Sequence, residues 1–334
     1  MTELRLGYYT LQGGHGYASV GKELRSALTL AGAIETQKER YDWHAFLATH
    51  PPVAFLIGPN LRPDVIFHTM TEVSRLPESW VTLLNRVGLV WVPSSFCHEV
   101  FRASGVTTPI MQTRYGVRGV PKRRTLSPDG RFRVLAWGDT LFSRKDIQAV
   151  IDAFIAANLK DAELDIKLNL NQLQIPTAHW VDERGREYTN ITIRHGDWSR
   201  HMLEEWFCSG DVGVYLSRGE GYGLMPKEMM ASGLPMISVL HTGLLEYLNP
   251  SIILPVHSRR VPVAVPLSGS HAAQGACEYV SDNDSAVAQL CQAYHYREDL
   301  YTMGMAGAAH VLKWTWEGVG RSAFDQIQAW RMVE

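Results

Sequence analysis

Three observations predict an α/β chain of two doubly wound parallel sheets. Short apolar runs alternate with segments of helical period along the 334 residues. The runs fall into two series, separated by a basic stretch that contains glycine and proline. Each series opens with a run, a loop and an amphipathic segment, which is the sequence form of a βα unit.

The first series begins at Leu4 to Tyr9. Val20, Leu24, Ala27, Leu28 and Ala31 then recur at helical spacing, with Ser19 placed as an N-cap. Further strands are expected at Val53 to Ile57, Val65 to His68 and Leu89 to Val92, with a weaker one at Ile110. The break lies between Tyr115 and Arg133. There RYGVRGVPKRRTLSPDGRFR carries seven basic residues, one acidic residue, three glycines and two prolines, the composition of an interdomain linker.

The second series starts at Phe132 to Trp137 and passes through a loop to Ile147, Val150, Ile151 and Phe154. Strands follow at Leu164 to Leu170, Ile191 to Arg194, Val212 to Leu216, Pro235 to Val239 and Ile252 to Leu254. From about Asp284 the strand pattern gives way to helices. The expected domains are 1–125 together with a C-terminal helix over about 315–334, and 126–314.

Lys+Arg 32 against Asp+Glu 34 gives a formal net charge of −2, which excludes a polycationic nucleic-acid coat or an acidic tail as the dominant theme. Cys97, Cys208, Cys277 and Cys291 are widely spaced with no C-x-x-C pair, which argues against a disulfide scaffold or a structural zinc site. The N-terminal text lacks a basic-then-apolar signal pattern. No stretch approaches the roughly 18 apolar residues of a membrane span. A reduced, cytoplasmic, soluble setting is the expectation.

The most informative stretch is Leu216 to Val239, LSRGEGYGLMPKEMMASGLPMISV. A buried strand ends at Leu216, a loop with three glycines follows, and Pro226 sits in the first turn of a short helix that runs to Gly233. Open α/β sheets bind ligands at the carboxyl ends of their strands. There glycines admit backbone N–H groups close to a sugar or phosphate, and a helix N-terminus favours anions. Glu220 and Glu228, acceptors only when ionised, suit a hydroxyl-rich ligand. A second reading makes Glu228 a first-turn acid stabilised by the helix dipole and the glycines simple turn residues.

Glu220 to Ile237 reads E-G-Y-G-L-M-P-K-E-M-M-A-S-G-L-P-M-I. It resembles the signature of the retaining GT-B glycosyltransferases of the family 4 type, a Glu, seven residues and a second Glu within E-G-F-G-L-P-x-x-E-A-M-A-x-G-x-P-V-I. The resemblance implies two Rossmann-like domains facing a central cleft, with a C-terminal helix crossing back to the first. It implies that Glu220 lies against the donor sugar hydroxyls, that Gly221, Tyr222, Gly223 and Leu224 reach the sugar and diphosphate, and that Glu228 holds the ribose.

Other landmarks of that family fall in order. Gly13, Gly14 and Gly16 stand where it has an N-terminal glycine loop facing the cleft. LPESWVTLLNRVGLVWV, followed by Pro93, Ser94 and Ser95, resembles its W-V-P-S strand end, and Trp314 and Trp316 resemble its closing segment. Arg144 and Lys145 stand where it has a basic pair that neutralises the donor diphosphate. Two positions depart: Asp146 replaces the glycine after that Lys, and Asp139 replaces an Arg after the preceding Gly. Arg144 is therefore the candidate second cation beside Lys145. Glu72, with Arg75 and Trp80, matches an acid that precedes the Trp segment in relatives, the alternative being an exposed loop acid.

His15 in the glycine loop and His68 at a strand end are candidates to bond a sugar hydroxyl or the acceptor; the alternative is a histidine satisfied within the structure. Trp91 and Trp137 read as core. The resemblance implies no cofactor and no metal, because fixed cations take the charge of the leaving diphosphate. The tripeptide Asp282-Asn283-Asp284 reads as a helix cap rather than as a metal site.

The expected activity is transfer of a sugar from a nucleoside diphosphate sugar with retention, by front-face substitution, because no carboxylate nucleophile is implied. The acceptor stays open between a glycan, a lipid-linked molecule, a small metabolite and a modified base in DNA. The last is suggested by the basic linker with Arg118, Lys122, Arg123 and Arg124, whose plainer reading is a solvated linker. Rival classes are a sugar phosphorylase on the same scaffold, a nicotinamide oxidoreductase and a non-catalytic carbohydrate-binding protein. The oxidoreductase would need G-x-G-x-x-G, and Ser19 stands at its third glycine.

Overall fold

The computed structural model of the chain describes residues 3–10, 16–36, 45–49, 62–121, 130–141, 144–169, 177–263 and 273–332. Its contacts form two compact units. The first comprises Met1–Gly116, His271–Cys277 and Trp314–Glu334, and the second Val117–Ser270 and Glu278–Lys313.

Among the described residues, the first unit holds a six-stranded parallel sheet in the order β2-β1-β3-β4-β5-β6. Its strands are β1 (Arg5–Thr10), β2 (Ile34–Glu35), β3 (Ala45–Thr49), β4 (Val65–His68), β5 (Leu89–Val92) and β6 (Ile110–Gln112). Every residue of VIFH in β4 and LVWV in β5 is buried, as expected of central parallel strands covered on both faces. Helices α1 (Gly16–Leu30), α2 (Glu78–Leu84) and α3 (Ser95–Ala103) lie in the same unit. Ser94 caps α3 by accepting from the Cys97 N–H at 3.1 Å.

The start of α1 corrects the sequence expectation. Ala18 joins Val20, Leu24, Ala27 and Leu28 in the buried stripe, so the helix begins at Gly16 and Ser19 becomes an exposed residue of its first turn rather than the cap. The run Val53 to Ile57 lies outside the described residues, whereas β3 pairs between β1 and β4 where the apolar pattern predicts no strand.

Among the described residues, the second unit holds a seven-stranded sheet in the order β13-β12-β11-β7-β8-β10-β9. The strands are β7 (Phe132–Gly138), β8 (Ala162–Leu168), β9 (Thr177–Val181), β10 (Glu187–Arg194), β11 (Val212–Tyr215), β12 (Met236–Val239) and β13 (Leu254–Val256). Strand β9 is antiparallel to β10, and the remaining pairs are parallel. A separate two-stranded sheet joins β14 (Ser258–Pro262) and β15 (Cys277–Ser281). The helices are α4 (Ile147–Ala157), α5 (Arg200–Ser209), α6 (Leu224–Ala231), α7 (Asn283–His295) and α8 (Asp299–Val311), while α9 (Trp316–Arg331) belongs to the first unit.

The strand order of this sheet creates a crevice. From β7 the chain builds outward through β8 and β10, then returns to place β11 on the other side of β7. The strand order therefore reverses between β7 and β11, and the carboxyl ends of these two neighbours form a topological switch point, the usual ligand crevice of an open α/β sheet.

Candidate functional site

Two loops meet at that switch point. The loop after β7 carries Arg144 and Lys145, and the loop after β11 carries Ser217 to Gly223. They are joined by main chain, since the Arg218 N–H donates to the Arg144 carbonyl at 2.7 Å.

Glu220 is the centre of the site and only 3% exposed. Its Oε1 accepts from Lys145 Nζ at 2.5 Å, Tyr215 Oη at 2.6 Å, Arg144 Nη1 at 2.7 Å and Ser217 Oγ at 2.8 Å. Oε2 accepts none of these four. Lys145, 5% exposed, also donates to Tyr215 Oη at 2.7 Å and sits 5.3 Å from the ring centroids of Trp137 and Tyr215. Trp137 is buried as expected, and its face lies under the ammonium.

Burial raises the Glu220 carboxyl, but the Arg144 and Lys145 charges and the hydrogen bonds from Lys145 and Tyr215 outweigh it and hold the group at about 2. Lys145 is lowered by burial and by Arg144, against which Glu220 and Asp139 act. The Tyr215 phenol is raised well above its ordinary range, by burial first and by Glu220 second, and stays a neutral donor. With both cations protonated, one carboxylate and two cations leave the cluster with a net positive charge. Such a fixed, water-poor arrangement stabilises a developing anion without reorganising.

Asp146 follows with φ 51°, in the left-handed region, and precedes α4. A glycine adopts this backbone freely, and aspartate is among the few other residues that tolerate it. Aspartate at this position is therefore compatible with a backbone conformation that glycine also favours. Asp146 itself is raised by burial, with Arg218 opposing, and Arg218 pairs with Glu278 at 2.5 Å.

The next stretch forms as the spacing predicts. Gly223 has φ 82° and ends the loop as the N-cap of α6, with Pro226 in its first turn. The Tyr247 hydroxyl donates to the Gly223 carbonyl, and Lys227, fully buried, donates to Tyr222 Oη at 2.7 Å. Glu228 lies in the second turn of α6, where its Oε1 accepts from Arg200 Nη1 at 3.2 Å. Arg200 opens α5 and also donates to Glu204 at 2.9 Å and to the Arg118 carbonyl.

Opposite this loop, a third segment holds Glu220 by its backbone. The Glu220 N–H donates to Thr242 Oγ1 at 3.1 Å, and the Gly243 N–H donates to the Glu220 carbonyl at 2.9 Å. Thr242 has φ 51°, rare for a β-branched residue. His241 Nδ1 lies 3.1 Å from Thr242 Oγ1, and its ring stacks on Tyr279 at 4.2 Å and 10°. Burial lowers His241 to about 4, so the ring is neutral near pH 7.

Of the first-unit candidates, Gly16, His68 and Glu72 are among the described residues. Gly13, Gly14 and His15 lie outside the described residues, and Gly16 is the first residue of α1; Lys122, Arg123 and Arg124, which fall in the sequence range of the second unit, also lie outside the described residues. His68 is fully buried, with Nε2 3.0 Å from Tyr115 Oη and its ring edge-on to Trp91 at 5.2 Å. Burial lowers it to about 3. His68 therefore sits inside the first unit against Trp91 and Tyr115. Glu72 is half-buried on the loop after β4, and its charge acts on Tyr17, whose hydroxyl donates to the Met70 carbonyl at 3.4 Å. Asp282 caps α7 by accepting from the Ser285 N–H at 2.7 Å, in agreement with its reading as a helix cap. Among the described residues no group of three or more His, Cys, Asp or Glu side chains is placed to hold a metal ion. No described helix is long and apolar enough to cross a membrane.

Sequence reasoning missed Tyr215, Ser217, Arg200, His241 and Thr242. Tyr215 and Ser217 had a local signal, lying five and three residues before Glu220 at the end of the strand. Arg200, His241 and Thr242 had none, because they reach the site through the order of the sheet rather than through spacing.

Residues 94–307 match the family model described as "Family 4 Glycosyltransferase in conflict systems". A search of curated proteins by sequence found no match. Among solved structures, the chain is similar to sucrose-phosphate synthase from Thermosynechococcus elongatus, at 14% identity and a TM-score of 0.71 over 99% of this chain and 100% of that one. HepE of Anabaena, solved in complex with UDP-glucose, gives 11% and 0.65 over 98% and 100%. WaaG, a glycosyltransferase of lipopolysaccharide biosynthesis, gives 9% and 0.63 over 97% and 99%. At these identities the likeness carries the fold, that of the GT-B enzymes with two Rossmann-like units.

Proposed function

The chain belongs to the family 4 glycosyltransferases of conflict systems and is a glycosyltransferase; from that premise we propose that its second unit binds a nucleoside diphosphate sugar and transfers the sugar with retained anomeric configuration, without a metal ion. One observation carries this reading. Arg144 and Lys145 converge on the buried Glu220 carboxylate at the switch point of the sheet, beside the glycine loop that opens α6.

In this reading the diphosphate lies against Arg144, Lys145 and the N–H groups of Gly221 to Leu224. Glu220 Oε2 accepts from donor sugar hydroxyls, while Oε1 holds both cations in place. Glu228 accepts from the ribose. The bond between the anomeric carbon and the phosphate oxygen breaks as the acceptor oxygen bonds to the same face of that carbon. The acceptor proton passes to the departing phosphate oxygen, and the two cations stabilise the charge that develops there. The likeness to HepE, solved with UDP-glucose, supports the donor class.

The test is incubation with UDP-, GDP- and ADP-sugars, followed by melting temperature and by NMR of the released sugar. One base series is expected to raise the melting temperature by several degrees. Slow release of sugar in the α configuration from an α-linked donor, unchanged by EDTA, is expected with it. No shift with any nucleotide sugar would sink the proposal, and release that requires inorganic phosphate would favour a phosphorylase.

A further inference from the structure

We infer that His241 is a positioning residue: through the strained Thr242 it fixes the backbone of Glu220 and, with it, the two cations gathered on that carboxylate. The inference rests on the transferase reading for its catalytic consequence, and on geometry alone for the clamp.

Both backbone groups of Glu220 are bound by one short segment, the N–H by Thr242 Oγ1 and the carbonyl by the Gly243 N–H. The fit is close. A Cβ on Gly243 would run into the carbonyl of Gly221, so the segment lies directly along the Glu220–Tyr222 chain. Thr242 holds a left-handed φ of 51°, which a β-branched side chain rarely adopts, and such a conformation persists only where neighbours over-determine it. Its neighbours do so here.

The Thr242 hydroxyl is shared between Glu220 N–H and His241 Nδ1, at 3.1 Å each. Either the hydroxyl donates to a bare Nδ1 or an Nδ1–H donates to the hydroxyl. In both cases the ring fixes the direction of the oxygen and leaves a lone pair facing the Glu220 N–H. The ring is itself fixed, buried and stacked on Tyr279. The chain of contacts runs from Tyr279 to His241, Thr242 and the Glu220 backbone, then through its carboxylate to Arg144 and Lys145. A group that acts through two others changes how well charges are aimed, which appears in turnover more than in affinity.

The experiment compares wild type with His241→Ala, His241→Asn, Thr242→Val and the His241→Ala/Thr242→Val double variant. An asparagine amide places an oxygen and a nitrogen near the position of Nδ1, so it can replace either form of the contact. With the nucleotide sugar that wild type turns over, His241→Ala is expected to lower kcat by about tenfold or more, with KM within about twofold. His241→Asn should recover most of that loss, and the double variant should be no worse than the poorer single. Hydrogen exchange at the Glu220 amide is read alongside and needs no activity; its protection should fall in His241→Ala and return in His241→Asn. Unchanged kcat in His241→Ala, multiplied losses in the double variant, or unchanged exchange at Glu220 would each overturn the inference. A wild type that turns over no nucleotide sugar would count against the transferase reading, and the exchange measurement would still decide the clamp.

Discussion

Lys145 shows at the scale of one residue how the site holds charge ready. A buried ammonium costs free energy unless it is paired, and Glu220 supplies the pair at 2.5 Å. Glu220, held at about 2, keeps its charge across the physiological range, so the cations remain organised before any ligand arrives. In the proposed role, removing the ammonium has two effects in one direction: the leaving diphosphate would lose a contact, and Glu220 loses its shortest partner. Lys145→Ala is therefore expected to reduce turnover on the order of 10²-fold or more, with a smaller effect on nucleotide affinity. Single-turnover kinetics with saturating donor checks this, and an unchanged rate would remove Lys145 from the site. Glu220, Arg144 and Lys145 are legible in the sequence because each stands in family text. Tyr215, also on Glu220 Oε1, is hidden because a tyrosine at the end of an apolar strand reads as core, which it also is.

Helix α6 and its loop are legible as an element: three glycines, a first-turn proline and two acids at fixed spacing leave few other structures. What the text could not show is that Arg200, at the start of α5, reaches Glu228 from 28 residues away. Arg200 occupies Oε1 of Glu228 and ties it to the carbonyl of Arg118, so one carboxylate oxygen is held while the helix is fixed beside residues 117–121. If Glu228 accepts from the ribose, Glu228→Ala should weaken binding of the preferred nucleoside diphosphate by about tenfold or more, as expected for a charged hydrogen bond. Arg200→Ala should weaken it less, because the carboxylate remains but is free to turn. Calorimetric titration separates these, and equal affinity in wild type and Glu228→Ala would contradict the ribose role. Elements with weak patterns are the ones the sequence conceals. Strand β3 is AFLAT, with two alanines in five residues, and β9 is a short edge strand, TAHWV, so neither carries the aliphatic run that marks the central strands.

At the scale of the whole molecule, the first unit is completed by residues far apart in the chain. Helix α9, Trp316–Arg331, buries Val319, Gly320, Ala323 and Ile327, and packs on α1. The approach is close enough that a Cβ on Gly320 would strike the carbonyl of Ala27 in α1. Trp316, at the start of the helix, stacks on Tyr115 at 5.9 Å, and Tyr115 in turn bonds the buried His68. The C-terminal segment is thus part of the core of the first unit, although the second unit's chain lies between them in sequence. The proposed donor residues, by contrast, all lie in the second unit: Arg144, Lys145, Glu220 to Leu224 and Glu228. The two can therefore be separated by one substitution. Gly320→Ala forces α1 and α9 apart and is expected to destabilise the first unit by about 1–3 kcal/mol, the usual cost of overpacking. Limited proteolysis should then cut first within residues 3–116, while calorimetric affinity for the nucleoside diphosphate at about 15 °C, near the temperature of maximum stability, stays within about twofold of wild type. Parallel loss of nucleotide affinity would show that donor binding depends on the first unit, and would move part of the binding site out of the second.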